Sequence, residues 1–557
     1  MQRKKYRLFI YNDIVSIIQT INQLKEKNIL LIIIITALVV FGHSLFNDFV
    51  WDDEEQVVNN IAIQKISNIP SFFFGSTFNS GGATMLSGLY YKPLLTTTYT
   101  LIYSLFKLRP LFYHAVQILI HIINTYLLFK LYLETTKNKT PSLLASLIFL
   151  IHPFNVESVV YIAGLQEPLF FLFGILAFQK IRQFSWKKNY NQKTNLILLN
   201  LLLLLSLLSK ETGIIFFLIV NIYSFLFFKK NKLSVFLTSI ITFCLYLFLR
   251  IGLAGIGLNK HGLAPISIVS LSGRLLTMPK IILFYFKNFF FPSKLAISHH
   301  WMVTSATFQD FYLPLILSSA LIILLVLLTF KFKSSNKKHN LYKILFLISF
   351  IVSLAFHGQI FPLDMTVSDR WFYLPMAGLL GLLVICFKQL WDKFQKKKLL
   401  MVYALFSIIA VFSIQTYIRS RHWKNSLTIY SHDIKINPLS FDLTNNYGVA
   451  LFRINQIPLA KDQFFKSAQL APQWWTNWNN LGVCIEQEGD LETALSYYRK
   501  AINNGRYYLA YENYAKVLIK QNKLEEAKNF LHSEALLYFP NNQRLREIDK
   551  YINQQLQ

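Results

Sequence analysis

The chain has 557 residues, of which 54% are apolar, 16% are aromatic and only 15% are charged. Soluble domains contain about 25% charged residues, so this composition excludes an ordinary soluble enzyme. Lys and Arg outnumber Asp and Glu by 56 to 28, which gives a net charge of +28. Because the chain is so apolar, we attribute this charge mainly to loops retained on the cytoplasmic side of a membrane, and predict no nucleic-acid partner.

Twelve apolar runs have about the length of 20 residues that a helix needs to cross the hydrocarbon core. They lie near residues 29–46, 112–133, 142–161, 165–181, 194–209, 211–228, 233–250, 271–291, 312–332, 341–361, 371–390 and 399–418. The first run follows a basic segment, 1–28, and is predicted to be an uncleaved anchor, because no convincing small-residue cleavage site follows it. The three cysteines predict no disulfide framework.

Basic residues fix the predicted orientation. They cluster near 137–139, 180–193, 229–232, 331–343 and 393–398, and each cluster must lie on the same side as the N-terminus. If the run at 233–250 leaves the cytoplasm and the run at 312–332 returns to it, the run at 271–291 is not a simple crossing. We therefore predict eleven full spans plus one interfacial or re-entrant element, with everything after residue 418 outside.

The polar tail predicts helical repeats. Two segments align at a period of 34, with small and large residues at matching positions: Gly448, Leu451, Ala460 and Phe464 against Gly482, Ile485, Ala494 and Tyr498. This is the tetratricopeptide pattern, and such repeats stack into a solenoid with a concave groove that can hold a protein or peptide. Two alternatives stay open: an unrelated helical bundle, and a groove whose tryptophans serve only packing.

The predicted organisation therefore has four parts. Residues 1–28 form a cytoplasmic basic N-terminus, and residues 29–420 an all-α polytopic membrane domain with a long outer loop at 47–111. Residues 421–439 form a linker, and residues 440–557 form the extracytoplasmic tetratricopeptide-repeat domain.

Carboxylates open the outer loop, where Asp52 and Asp53 are followed by two glutamates. Like charges at close range raise a pKa, which is one way to tune a general base. The alternative is a solvated acidic turn. Asp52 is slightly preferred as the base, although adjacent residues cannot be ranked from the sequence.

Other ionisable residues lie at the predicted outer ends of spans, where burial is costly and function is common. They are His152, Glu157, Glu167, Lys210, Glu211, Arg250, Asp369 and Arg370. The basic loops fixed the orientation without them, so their common side favours one extracytoplasmic site. Each has a plainer explanation: a neighbour of the Pro153 kink, a turn ion pair or a helix cap.

Four cations, Lys92, Lys210, Arg250 and Arg370, are candidates for binding a phosphate. Arginine offers a planar fork to phosphate oxygens and lysine a point charge. Apolar walls beneath them fit a donor whose lipid chain stays in the bilayer. An outer-loop carboxylate that deprotonates an attacking hydroxyl would then give an inverting glycosyl transfer by single displacement, with a lipid phosphate as leaving group.

The ordered motifs resemble those of membrane glycosyltransferases of GT-C type, and more narrowly the transmembrane and tetratricopeptide-repeat-containing O-mannosyltransferases and their bacterial relatives. The motifs cover nearly the whole chain: Asp48-Phe49-Val50-Trp51-Asp52-Asp53, Tyr91-Lys92-Pro93-Leu94, His152-Pro153 with Glu157, Ser209-Lys210-Glu211, and Asp369-Arg370-Trp371-Phe372-Tyr373-Leu374-Pro375.

The resemblance implies an outer-side active site, a polyprenyl- or dolichyl-phosphate sugar donor, with mannose suggested, and protein hydroxyls as acceptors. Asp52 and Asp53 fall at the family's catalytic acidic position. The chain departs from the family at Leu165 and Lys92, where arginine is expected, so other cations must carry more of the donor binding. No metal site or other cofactor is predicted, and a divalent metal stays open because some GT-C enzymes use one.

Two rival functions stay open. The chain could be a non-catalytic membrane scaffold whose repeats recruit envelope proteins, or a transporter, although it shows no paired inverted pattern of broken helices. The bias towards Ile, Asn, Lys and Phe favours a bacterial inner membrane with the repeats periplasmic or extracellular. An endoplasmic reticulum protein would have the same topology.

Overall fold

The computed structural model describes residues 20–77, 90–186, 192–257, 264–331, 336–394 and 398–557. Within these ranges every regular element is a helix and there is no β-strand. Most of the predicted N-terminal segment 1–28 lies outside the described residues. The same holds for parts of the basic connections, namely 187–191, 332–335 and 395–397.

The described part of the bundle contains fifteen α-helices. They are α1 Glu26–Phe41, α2 Pro93–Phe106, α3 Pro110–Thr136, α4 Lys139–Ile151, α5 Val156–Val160, α6 Gln166–Trp186, α7 Gln192–Ser209, α8 Ile214–Phe227, α9 Lys232–Leu247, α10 Pro265–Ile268, α11 Leu271–Phe290, α12 Leu313–Lys331, α13 Lys337–Phe356, α14 Tyr373–Lys393 and α15 Lys398–His422. Short 3₁₀ or π segments extend several of them. Each of the twelve predicted apolar runs coincides with a helix or a helix pair.

Among the described helices, eight are long and apolar enough to cross a membrane, or nine if one bent pair counts as a span. Helices α7 and α8 are apolar but shorter. Helix α11, predicted to be the partial element, is not one of the eight and carries Arg274, Lys280 and Lys287 along its described length. The positions of the predicted helices are therefore confirmed, whereas among the described residues fewer helices than the eleven predicted spans reach full crossing length.

The bent pair is formed by α4 and the segment Pro153–Val160, whose axes differ by 48°. Pro153 lacks an N–H and so cannot continue the hydrogen-bond ladder of α4. His152 stabilises the break, since its Nδ1 accepts from the Phe154 N–H at 3.2 Å and its Nε2 lies 2.9 Å from the Phe289 carbonyl oxygen. The break places Glu157 inside the bundle, where it is buried.

The segment predicted as a linker, 421–439, contains helix α16 Ser426–Ile436. This helix begins with a capping box between Asn425 and Thr428, which satisfies its first backbone donors. Its apolar side chains Ile429 and Tyr430 are buried against the bundle. The cap and the two buried side chains explain why the segment is ordered rather than a plain connection.

Eight further α-helices form a solenoid. They are α17 Phe441–Arg453, α18 Ile457–Leu470, α19 Trp475–Gln487, α20 Leu491–Asn504, α21 Tyr508–Lys520, α22 Leu524–Phe530, α23 Leu536–Tyr538 and α24 Gln543–Gln555. A β-carbon at Gly448 would lie 2.7 Å from the Phe464 ring, and one at Gly482 would lie 2.5 Å from the Tyr498 ring. The same close packing therefore recurs after 34 residues, as the sequence period predicts.

Buried polar contacts fix the start of the solenoid on the bundle. The Asp433 carboxylate accepts from the Arg419 guanidinium at 2.6 and 3.0 Å and from the Ile297 N–H at 2.7 Å. Burial alone would raise the pKa of Asp433, but Arg419 and these hydrogen bonds lower it below its ordinary value. Asp442 makes a second contact of this kind with His300 Nε2 at 2.8 Å. The solenoid thus starts from a defined position beside the bundle.

Candidate active site

The acidic loop begins with a tight reversal at Trp51, which adopts a positive φ of 53°. Such a backbone conformation is uncommon for a non-glycine residue and is held by its surroundings. Here the Trp51 N–H donates to the Tyr430 hydroxyl at 3.1 Å. Helix α16 therefore supports the turn that presents Asp52 and Asp53.

The reversal gives the two neighbouring aspartates different environments. Asp53 is fully buried, and its two carboxylate oxygens accept from the Val50 N–H at 3.0 Å and the Ala163 N–H at 2.7 Å. Burial raises the pKa of Asp53, although these two donors favour its charged form. Because both oxygens are engaged, Asp53 is arranged to hold the acidic loop against residues 162–165.

Asp52 is only partly buried, and within the described ranges no backbone N–H donates to its carboxylate. Its own N–H donates to the Tyr161 hydroxyl at 3.2 Å, and the Tyr161 side chain also hydrogen-bonds to its carboxyl group. Burial raises the pKa of Asp52 from 3.8 to about 6, and the charges of Arg370 and Lys92 oppose this in part. A carboxyl group with a raised pKa on a residue that is still partly exposed is suited to accept a proton near neutral pH.

Arg370 is held by Glu157 in a buried ion pair. The Glu157 carboxylate also accepts from the Arg370 backbone N–H at 2.9 Å and from the Ser368 hydroxyl at 3.1 Å. Within the described part of the chain, the Arg370 Nε–H is buried without a hydrogen-bond partner. The guanidinium is therefore fixed in position with its Nε–H unused.

Two further ion pairs join other predicted site residues. Lys210 pairs with Glu167, and both side chains are buried. Arg250 Nη1 lies 3.0 Å from the Glu211 carboxylate and 3.1 Å from the Tyr246 hydroxyl. The structure thus pairs three predicted cations one to one with three predicted carboxylates.

Lys92, the fourth predicted cation, precedes α2 and is buried. Its backbone N–H donates to Thr77 Oγ1 at 3.0 Å, and its ammonium lies 4.3 Å from the centre of the Tyr90 ring. It is close enough to Asp52 and to Glu167 to interact with both electrostatically. Lys92 thereby links the acidic loop to the ion pairs.

Two predicted residues lie outside the cluster that Asp52, Lys92 and the three ion pairs form. Both ring nitrogens of His152 are engaged with backbone groups at the helix break. Asp369 is buried, and its Oδ1 has no hydrogen-bond partner among the described residues. His152 therefore supports the helix break rather than facing Asp52.

Four residues of the cluster were not predicted from the sequence. They are Tyr161, Ser368, Tyr90 and Asp364, the last two joined by a 2.7 Å hydrogen bond. Tyr90 adjoins a quoted motif, and Ser368 directly precedes another, so their positions were a usable signal. Nothing in the local sequence distinguishes Tyr161 or Asp364.

No group of three or more His, Cys, Asp or Glu side chains within the described ranges is arranged to hold a metal ion. The cluster instead combines one accessible carboxyl, several fixed cations and an apolar bundle beneath. Such a combination is suited to anchor an anionic group of a lipid and to move one proton beside it.

The fold and the cluster together define a polytopic helical membrane protein with a buried ionic site next to a helical solenoid. No protein-family model matches the chain. The chain is 27% identical over 453 residues to protein O-mannosyl-transferase F38B6.6 of Caenorhabditis elegans, an alignment that covers 80% of this chain and 63% of that protein. It is 24% identical over 497 residues to protein O-mannosyl-transferase TMTC3 of Homo sapiens, covering 80% of this chain and 52% of that protein.

A shorter alignment reaches 31% identity over 196 residues with protein O-mannosyl-transferase TMTC4 of Homo sapiens, covering 32% of this chain and 26% of that protein. These relatives confirm the resemblance that the ordered motifs indicate. The chain spans 63% and 52% of the lengths of the first two relatives.

Proposed function

We propose that the chain is an integral membrane glycosyltransferase that moves a sugar from a polyprenyl-phosphate donor to a protein hydroxyl. The names of its relatives favour mannose as the sugar and a protein as the acceptor. We place the site on the extracytoplasmic side, in accord with the basic loops. The observation that carries the proposal is the partly accessible Asp52 beside fixed cations, with a pKa raised to about 6.

The proposed reaction is a single displacement. The acceptor hydroxyl oxygen attacks the anomeric carbon as the bond from that carbon to the phosphate oxygen breaks. The Asp52 carboxylate takes the hydroxyl proton, and the lipid phosphate leaves with the bonding electron pair. Attack opposite the leaving group inverts the anomeric centre.

Arg370 is the residue best placed to bind the donor phosphate in this proposal. Its unused Nε–H is a donor that burial makes costly to leave unpaired, and a phosphate oxygen would satisfy it. Lys92 adds positive charge next to Asp52. Lys210 and Arg250 are also paired with glutamates but, among the described residues, neither has a buried donor without a partner, so we assign them a supporting share of the charge.

Asp53 has a different role in this proposal. With both oxygens bound by backbone N–H groups, it positions the loop and does not take the proton. The alternative function, a membrane-anchored scaffold, needs neither a base nor a phosphate site. It predicts that changes at Asp52 and Arg370 leave all functions of the protein intact.

The test is donor consumption by the detergent-purified protein, offered a panel of polyprenyl-phosphate sugars and an unstructured peptide rich in Ser and Thr. We expect one sugar class to be transferred by the wild type and not by Asp52→Asn. Arg370→Gln should weaken donor binding more than peptide binding. A matched control is Asp549→Asn on the last helix of the solenoid, which should transfer at the wild-type rate. Transfer by Asp52→Asn at the wild-type rate would refute Asp52 as the base.

A further inference from the structure

The solenoid carries a row of asparagines that the proposed reaction does not use. Asn445, Asn479 and Asn513 are spaced by 34 residues, one on each of the helices α17, α19 and α21. Asn446 and Asn480 follow the first two. The row therefore repeats with the period of the solenoid.

Side-chain hydrogen bonds connect the row from helix to helix. The Asn513 amide donates to Asn479 Oδ1 at 3.0 Å, and the Asn480 amide donates to Asn445 Oδ1 at 2.9 Å. Within each helix, Asn479 donates to Asn480 at 3.3 Å and Asn445 to Asn446 at 3.2 Å. Five amide groups are thus joined in one chain across three helices.

These contacts leave part of the hydrogen-bonding capacity of the row available. Each primary amide has two N–H donors and two lone pairs, and the chain of contacts uses only some of them. Asn446, Asn480 and Asn513 are half-buried, so their remaining polar atoms reach solvent, whereas Asn445 and Asn479 are buried behind them. Their neighbours fix the orientation of the exposed amides, which lowers the entropy cost of binding.

The row has the chemistry of a polypeptide main chain. An extended peptide presents regularly alternating N–H donors and C=O acceptors, and primary amides supply matching acceptors and donors. The row itself is uncharged, and the nearby Glu512 is buried and pairs with Lys516. Recognition here would therefore depend on the backbone of the peptide and not on charged side chains.

The row also leads towards Asp52. Arg453, at the end of α17, pairs with Glu54 through Nη2 and Oε2 at 2.7 Å, only two residues beyond Asp52. Asn446 precedes Arg453 by seven residues, roughly 10 Å along the helix axis. A cavity of about 420 Å³ lies at this junction, lined by residues that include Phe49, Glu54 and Arg453.

The third helix of the row begins directly after a residue that the acidic loop influences electrostatically. Burial and the neighbouring Tyr508 raise the pKa of Tyr507, which directly precedes α21. The charge of Glu55 in the acidic loop raises this pKa further. The loop is therefore bonded to the first helix that carries the row and lies within electrostatic range of the start of the third.

We propose that the half-buried amides of Asn446, Asn480 and Asn513 bind the main chain of an extended, uncharged segment of the acceptor protein and direct its next Ser or Thr towards Asp52. This inference rests on the proposed function for the identity of the peptide as acceptor. It adds that the site selects extended backbone rather than a particular sequence.

The test uses the full-length protein in detergent, without donor, and a fluorescent 15-residue peptide of Ser, Thr, Ala and Gly with no net charge. Binding is followed by fluorescence anisotropy. We expect a scrambled peptide to bind within about twofold and a peptide with alternate backbone N-methyl groups to bind at least about tenfold more weakly, because it lacks the N–H donors. Equal binding of the N-methylated peptide, no binding of any peptide, or displacement by a free manno-oligosaccharide would overturn the proposal.

Substitutions in the protein provide a second, independent test of the proposal. The triple change Asn446→Ala, Asn480→Ala and Asn513→Ala should weaken peptide binding at least about tenfold. The matched control changes three exposed asparagines on the other helices of the repeats, Asn503→Ala, Asn504→Ala and Asn529→Ala, and should bind as the wild type does. Wild-type affinity in the first triple variant would refute the proposal; if that variant does not fold, the N-methylated peptide on wild-type protein decides.

Failure of the two proposals can be separated. Asp52→Asn should keep full peptide affinity, because Asp52 is not part of the row. Row-dependent peptide binding by a protein that transfers no sugar would leave this inference intact and refute the proposed function. Sugar transfer with no dependence on the row would do the reverse.

Discussion

The helix bundle and the solenoid use polar side chains in different ways. In the bundle, buried charges meet across long stretches of chain: Glu157 pairs with Arg370, and Glu167 with Lys210. In the solenoid, polar contacts join neutral amides at a fixed interval of 34 residues, as between Asn479 and Asn513. The first arrangement concentrates electric charge at one place, which suits chemistry. The second repeats the same uncharged contact, which suits binding along a line.

The largest effect in the bundle should come from breaking the Glu157–Arg370 pair. Arg370→Gln leaves a buried carboxylate without its cation, which we expect to cost about 3–5 kcal/mol and to lower the melting temperature in detergent. The double variant Glu157→Gln with Arg370→Gln removes both charges and should recover much of that stability. Donor binding should remain weak in both. Full donor affinity in the double variant would show that Arg370 does not bind the phosphate.

The corresponding change in the solenoid is one of packing. Gly482→Ala places a methyl group against the Tyr498 ring, and we expect a loss of about 1–3 kcal/mol with sugar transfer retained once the protein is folded. Pairing it with Tyr498→Leu should restore part of the stability by making room. A thermal melt of the three variants checks this. An unchanged melting temperature in Gly482→Ala would show that the two helices do not pack as described.

The titration of Asp52 gives the site a pH signature. Its pKa is about 6 in the folded protein against 3.8 for an unperturbed group, so the folded state binds this proton more tightly. Stability contributed by the protonated carboxyl is therefore lost as the pH rises through about 6, and Asp52→Asn should melt at a slightly higher temperature than wild type at pH 7.5. The sugar transfer rate should rise with pH up to about 6 and level off above it. A transfer rate that is constant from pH 5 to pH 8 would contradict this.

The smallest effect is expected from an exposed ion pair of the solenoid. Lys461 and Glu488 lie 2.8 Å apart with side chains 37% and 39% exposed. Solvent screens such pairs, so Lys461→Gln should change stability by less than about 1 kcal/mol. A loss of stability as large as that of Arg370→Gln would remove the contrast between the bundle and the solenoid.

The sequence was sufficient to predict the positions of most helices but not all of the contacts between them. Apolar runs placed the helices of the bundle, and the 34-residue period placed matching contacts such as Gly448 with Phe464 and Gly482 with Tyr498. Both signals are local, because they depend on the length or the repeat of a hydrophobic pattern. The helix within 421–439 was missed, since its cap and two buried side chains form too short a pattern to stand out.

The difference between Asp52 and Asp53 shows where sequence reasoning ends. The two neighbours have the same side chain, and only the fold reveals that Val50 and Ala163 occupy both oxygens of Asp53. Partners such as Tyr161 lie more than a hundred positions away from the acidic loop. Contacts of that separation depend on how the helices pack.

The most direct measurement is single-turnover sugar transfer with donor and acceptor peptide both saturating, comparing the wild type with Asp52→Asn and Asp53→Asn at pH 7.5. The account predicts that Asp52→Asn binds donor and peptide normally, melts like the wild type or slightly above it, and transfers about 10²–10⁴-fold more slowly. Asp53→Asn should instead lower the melting temperature, because its amide nitrogen cannot accept from a backbone N–H. Wild-type transfer by Asp52→Asn would contradict the central claim.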